Sequence, residues 1–110
     1  MAHLDMSQIS ELKDLMEDAF TDLVDTYLTD SDDKIIKLRA ALANQDATLS
    51  ADISHSLKGS SANICAVDLS NLFKVIEDQA RNNDLSQLEN PLNAAQAEYQ
   101  EVKAQLQSLC

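Results

Sequence analysis

The sequence predicts an all-α protein folded as an antiparallel up-and-down helical bundle, and three observations carry that expectation. Leu, Ala, Gln, Asp and Glu dominate, while 110 residues hold one glycine, one proline and 4% aromatics, too little turn chemistry for a β-protein. Apolar residues recur at spacings of three and four nearly end to end, the period of an amphipathic helix. The breaks between these runs are short polar clusters, which suit antiparallel neighbours. With 45% apolar residues and no low-complexity stretch, repeat or linker, residues 1–110 read as a single domain with one modest core.

Taken in order, Ile9, Leu12, Leu15, Met16, Ala19, Phe20, Leu23, Val24, Tyr27 and Leu28 form one bent helix or a short helix leading into a longer one. A break is expected at Thr29-Asp30-Ser31-Asp32-Asp33, with Ser31 as N-cap of the next helix, since its side-chain oxygen can accept an orphan backbone N–H. Ile35, Leu38, Ala41 and Leu42 carry that helix to Asn44-Gln45-Asp46. A further helix starts near Asp46 with Leu49, Ile53, Leu57, Ser60 and Ile64 inward. Asp68 is expected to cap the next, with Leu69, Leu72, Phe73, Ile76 and Ala80 inward and an end near Arg81-Asn82-Asn83-Asp84. Asn90 is expected to cap the last, with Pro91 at its first position, where the missing N–H has no partner to lose. Its stripe is Leu92, Ala95, Tyr99, Val102, Leu106 and Leu109.

The charge balance excludes some functions. Nineteen acids face eight bases, a formal charge of −11, whereas a non-specific nucleic-acid or anionic-membrane binder needs a basic surface. No run approaches the ~20 apolar residues of a membrane span. Met1-Ala2-His3-Leu4-Asp5 lacks the basic-then-apolar order of a signal peptide, and Cys65 and Cys110 have no metal-type spacing, so a cytoplasmic protein with free thiols is expected.

The segment Ser54-His55-Ser56-Leu57-Lys58-Gly59-Ser60-Ser61-Ala62-Asn63 breaks the helical rule by placing the only glycine mid-helix, at a cost of ~1 kcal/mol relative to alanine. At ~100° per residue His55 lies opposite the Ile53 and Leu57 ridge. Gly59 then falls one turn after it, Ala62 a further turn on and Ala51 one turn before, with Lys58 alongside. The pattern predicts an imidazole on an exposed strip of small side chains that a second protein can approach, with room for a tetrahedral group on the outward ring nitrogen. Between Ile53 and Ile76 the only acid is Asp68, whereas ten acids lie in the first 33 residues, so an anionic group on His55 is least repelled here. Imidazole, with an ordinary pKa of ~6.5, offers a neutral nucleophilic nitrogen while its other nitrogen is held by a hydrogen bond. Each feature alone is ordinary: a solvated histidine, a helix–helix contact at glycine, a surface lysine. Their conjunction on one face points to covalent phosphoryl chemistry.

His55-Ser56-Leu57-Lys58-Gly59-Ser60-Ser61-Ala62-Asn63-Ile64 closely resembles the signature of the histidine phosphotransfer (HPt) domain, His-x-Leu-Lys-Gly-Ser-x-x-x-Leu-Gly. Leu69, Leu72, Phe73, Glu77 and Arg81 resemble the helix that follows, residues 23–28 and 37–42 the helices before it, and Tyr99 to Leu106 the closing helix. The resemblance implies a four-helix bundle with an N-terminal capping helix and an exposed, phosphorylatable His55. It implies that Lys58 screens phosphoryl oxygens, that Glu77 hydrogen-bonds the inner imidazole nitrogen, and that the domain has no kinase activity of its own. The implied partners are receiver domains of a hybrid sensor kinase and of response regulators, met by a monomer. No cofactor is implied, magnesium belonging to the partner receiver's acidic pocket. Cys65 stands where the family has a glycine, so the turn leaving the histidine's helix is expected to differ slightly, and its thiol is read as buried and inert.

Two rivals bear weighing. An autonomous enzyme lacks support, since the chain has no Gly-rich phosphate loop and no His-Glu-x-x-His pair, and His3, His55 and Cys65 make no plausible metal set. A non-catalytic helical docking or scaffold module for a response regulator is the stronger rival, set against by the intact His55, Lys58 and Gly59.

Overall fold

Five helices account for nearly all of residues 3–110, the part of the chain that the computed structural model describes. Met1 and Ala2, part of the start read above for a signal peptide, lie outside the described residues. Helix α1 spans Met6–Met16, α2 Ala19–Ala43, α3 Ala47–Asn63, α4 Val67–Arg81 and α5 Glu89–Leu109. Helices α2 to α5 form an antiparallel four-helix bundle in which α3 packs on α2 and α4, and α5 on α4 and α2. Helix α1 leans on α2 as an N-terminal cap. At ~1.5 Å per residue the 25 residues of α2 nearly span the 42 Å long axis.

The core follows the apolar stripes. Phe20, Val24, Leu38, Leu57, Leu69, Phe73, Ile76, Leu92, Tyr99, Val102 and Leu106 are all buried. Leu4 is buried as well, and the Asp5 N–H donates to the Cys65 carbonyl at 2.8 Å, which ties the chain's start to the α3–α4 turn.

Three turns share one solution. After α2, α3 and α4 the chain passes through Gln45, Cys65 and Asn83 at φ of 57°, 68° and 57°. Each turn closes with paired bonds back into the helix, such as Ala66 N–H to Ser61 O at 2.8 Å and Cys65 N–H to Ala62 O at 3.0 Å. Cys65 therefore adopts the left-handed conformation that glycine would supply. Burial, and then the nearby Asp5 charge, push its thiol pKa up, which suits an inert core thiol.

Several boundary expectations need correction. There is no break at Thr29–Asp33 and Ser31 caps nothing: it is fully buried in mid-α2. The polar cluster is paired along and across the helix, Asp30 with Lys34, Asp33 with Lys37, and Asp32 with Tyr99. Leu49 is exposed rather than inward, while Asp46 does cap α3 through the Leu49 N–H at 3.0 Å. Asp68 lies inside the first turn of α4, after Ala66 at the cap position, where its charge meets the positive helix end. Helix α5 begins at Glu89, so Asn90 is not its cap and Pro91 is its third residue, still among the N–H groups that have no partner within the helix.

Candidate functional site

Helix α3 is packed on two sides and open on the third, and His55 stands on the open one with 61% of its side chain exposed. The ring is not free to turn. Its Nδ1 lies 3.0 Å from Oε2 of Glu77 on α4. A carboxylate only accepts, so Nδ1 carries the hydrogen and donates, and in the neutral ring the lone pair is on Nε2.

Glu77 is the centre of the site. Its side chain is 6% exposed, an uncommon place for a carboxylate unless cations meet it. Arg81, one turn along α4, donates to Oε2 from Nε at 2.9 Å and approaches the same oxygen with its terminal nitrogen at 2.8 Å. Lys58 Nζ lies 2.7 Å from the other oxygen, Oε1, a short ion pair from the neighbouring helix. Burial pushes the Glu77 carboxyl up, and the contacts from Lys58, Arg81 and His55 together outweigh it and hold the pKa down at about 2. The carboxylate is thus charged throughout the neutral range.

The neighbours of α3 fix this geometry. Ser70 Oγ of α4 donates to the Lys58 carbonyl at 2.9 Å, pinning the two helices beside the site. On the other flank, Lys34 of α2 donates to Ser56 Oγ at 2.6 Å and pairs with Asp30 at 3.0 Å.

Gly59 and Ala62 are exposed on the same strip as His55. No turn and no helix contact demands the glycine, because nothing stands within 4 Å of where its Cβ would be. Ala51 departs from the expected strip: it is 2% exposed and belongs to the core. A step of four residues overshoots one turn by ~40°. Going back from His55, that step carries Ala51 toward the side on which Lys58 reaches α4, where it is covered. The exposed small side chains therefore run from His55 toward the C-terminal end of α3.

A family model, the Hpt domain, matches residues 22–108, which takes in α3, α4 and the whole His55 cluster. The chain belongs to the histidine phosphotransfer domain family. A solved structure agrees in fold: histidine-containing phosphotransfer protein B (HptB) from Pseudomonas aeruginosa PAO1 superposes with a TM-score of 0.92 at 32% identity, over 96% of this chain and 92% of that one. No match was found among curated proteins. The chain is accordingly a histidine phosphotransfer intermediate of phosphorelay signalling, in a family whose members relay phosphoryl groups rather than act as kinases and meet the receiver domains of kinases and response regulators. Among the described residues no helix is long and apolar enough to cross a membrane, and no group of side chains is arranged to hold a metal ion.

Sequence reasoning placed Lys58 and Glu77 in this Hpt domain's site separately and did not see that they meet. It also left Arg81 out of the site. The signal was present, because Glu77 and Arg81 are four apart on one helix and so share a face. What the spacing could not say is that this shared face is turned toward His55.

Proposed function

We propose that His55 Nε2 is the atom that takes the phosphoryl group from the aspartate of one receiver domain and returns it to the aspartate of another. The observation that carries this reading is a ring 61% exposed whose inner nitrogen is held by a buried carboxylate. In the forward step the Nε2 lone pair attacks phosphorus, a P–N bond forms, the P–O bond to the donor aspartate breaks, and that carboxylate leaves. The proton stays on Nδ1. Positive charge developing on the ring is met by Glu77 across the 3.0 Å contact, and Lys58, one turn along α3 from His55, is the cation that turns to a phosphoryl oxygen. The return step reverses each bond.

The rest of the reading follows from the same face. The domain, spanning residues 1–110, works in the cytoplasm as a monomer between the receiver of a hybrid sensor kinase and those of response regulators. It has no ATP-dependent activity and no cofactor of its own, with magnesium confined to the receiver's pocket. Gly59 and Ala62 form the strip over which the receiver's loops approach.

The test is direct. Mixing the chain with a receiver domain charged by acetyl phosphate is expected to move acid-labile, alkali-stable label onto it. His55→Gln, at an exposed position, should keep its melting temperature and lose at least about a thousandfold in labelling. An unlabelled natural chain would leave only the docking-module reading.

A further inference from the structure

Glu77 holds two cations where the pairing of one buried carboxylate needs one, and they are not equivalent. Arg81 shares Oε2 with His55 through two nitrogens at 2.9 and 2.8 Å, in a bonded geometry supplied by its own helix. Lys58 comes from another helix, α3, and meets only Oε1, through one nitrogen at 2.7 Å. Both must be accounted for if Lys58 is to leave Glu77 for a phosphoryl group. A carboxylate 6% exposed does not give up its only counter-charge cheaply, since an unpaired buried charge is among the costliest defects in a fold.

We propose that Arg81 is a positioning residue: it holds the charge of Glu77 permanently, and so releases Lys58 to follow the phosphoryl group on His55. The inference rests on the reading of His55 as the phosphoryl acceptor. Without Arg81, Lys58 becomes the sole cation on a buried anion and is pinned there. Arg81 touches neither ring nor phosphorus in this scheme. It acts through Glu77 and Lys58, and its effect should vanish when Lys58 is absent.

The experiment uses phosphoramidate, a small donor that needs no docking face. Nε2 attacks its phosphorus, a new P–N bond forms, the old one breaks, and ammonia leaves with the balancing proton. The rate of phosphohistidine formation is followed by ³¹P NMR for the full chain, Arg81→Ala, Arg81→Lys, Lys58→Ala and the Arg81→Ala/Lys58→Ala pair. Arg81→Met, which keeps the apolar stem, stands in if the alanine variant does not fold. Arg81→Ala should be slower by about tenfold, and Arg81→Lys should recover most of that loss because a cation is restored on the same turn. In the Lys58→Ala background the same change should cost less than about twofold.

An Arg81→Ala rate equal to that of the natural chain overturns the assignment. So does an equal loss in both backgrounds, a Lys58→Ala chain as fast as the natural one, or no recovery with lysine. If the natural chain forms no phosphohistidine at His55, the acceptor reading falls and this inference with it. A natural chain that labels normally while Arg81 proves indifferent removes the inference alone.

Discussion

Two carboxylates in this protein each join a pair of helices through a ring and a lysine, and they do so in opposite orientations. Glu77 ties α4 to α3 by meeting His55 and Lys58, and Asp32 ties α2 to α5 by meeting Tyr99 at 2.6 Å and Lys103 at 3.2 Å. The two lysines are equally exposed, at 29% each, so the cations do not make the difference. The carboxylates do: Glu77 is 6% exposed and Asp32 47%. The rings are reversed, His55 at the surface and Tyr99 fully buried. A buried carboxylate beneath an exposed ring orients a nucleophile and keeps its field unscreened. An exposed carboxylate over a buried ring merely accepts the proton of a hydroxyl whose oxygen lies 3.2 Å from the Leu28 carbonyl. Burial, and then the nearby Asp32 oxygen, push the Tyr99 pKa up, so it stays a protonated donor. One cluster is built to react and the other to pin.

That contrast can be broken at several points. The largest effect is expected beside the exposed ring. Space around Gly59 is open, so Gly59→Glu should fold and melt as the natural chain does. The added carboxylate should nonetheless slow transfer from a phosphorylated receiver by about a hundredfold, through blocking and like-charge repulsion. Normal transfer would show that the strip from Gly59 to Ala62 is not where receivers approach.

Next come the carboxylates themselves. Glu77→Ala leaves Lys58 and Arg81 facing each other over an emptied buried position and should cost about 2–3 kcal/mol in urea unfolding, together with most of the transfer rate. Asp32→Ala should cost about 1 kcal/mol or less, because its lysine is already in water, and should leave transfer alone. Equal costs would erase the distinction between the two clusters.

Acid should separate them again. The Glu77 carboxyl titrates at about 2 in the folded chain against 4.5 without the fold, so its contribution is complete above 4.5 and is lost as the pH falls toward 2. A pH series of unfolding free energies should show this slope, and Glu77→Gln should flatten it. If the slope is unchanged in that variant, Glu77 is not the charged centre described.

The smallest effect is expected at Tyr99→Phe, which removes one buried hydroxyl and its bond to Asp32. It should lower stability by about 1 kcal/mol and leave phosphoryl transfer at the natural rate. A loss of transfer there would mean that the α2–α5 pin also shapes the site.

Much of this was legible in the residues. The stripes from Phe20 to Leu106 gave the helices, and a glycine in the middle of an apolar period marked the strip beside His55. The errors share a cause. Thr29–Asp33 looked like a break because Ser and Asp favour caps, yet Asp30 and Asp33 are paired with lysines one turn on and Asp32 with a tyrosine 67 residues away. Ala51 looked exposed because spacing gives the angle around one helix and not the position of its neighbours.

By itself the sequence determined that the chain is helical, the main apolar stripe of each helix, and that His55, Lys58 and Gly59 share a surface, since all of these are set by local period and residue type. Only the tertiary structure decided that Glu77 comes from α4 to lie beneath the His55 ring, and that Arg81 and Lys58 converge on it from two helices. The physical reason is that a buried charge is tolerable only where counter-charges from other segments meet it, and that meeting is a property of packed helices rather than of any one of them.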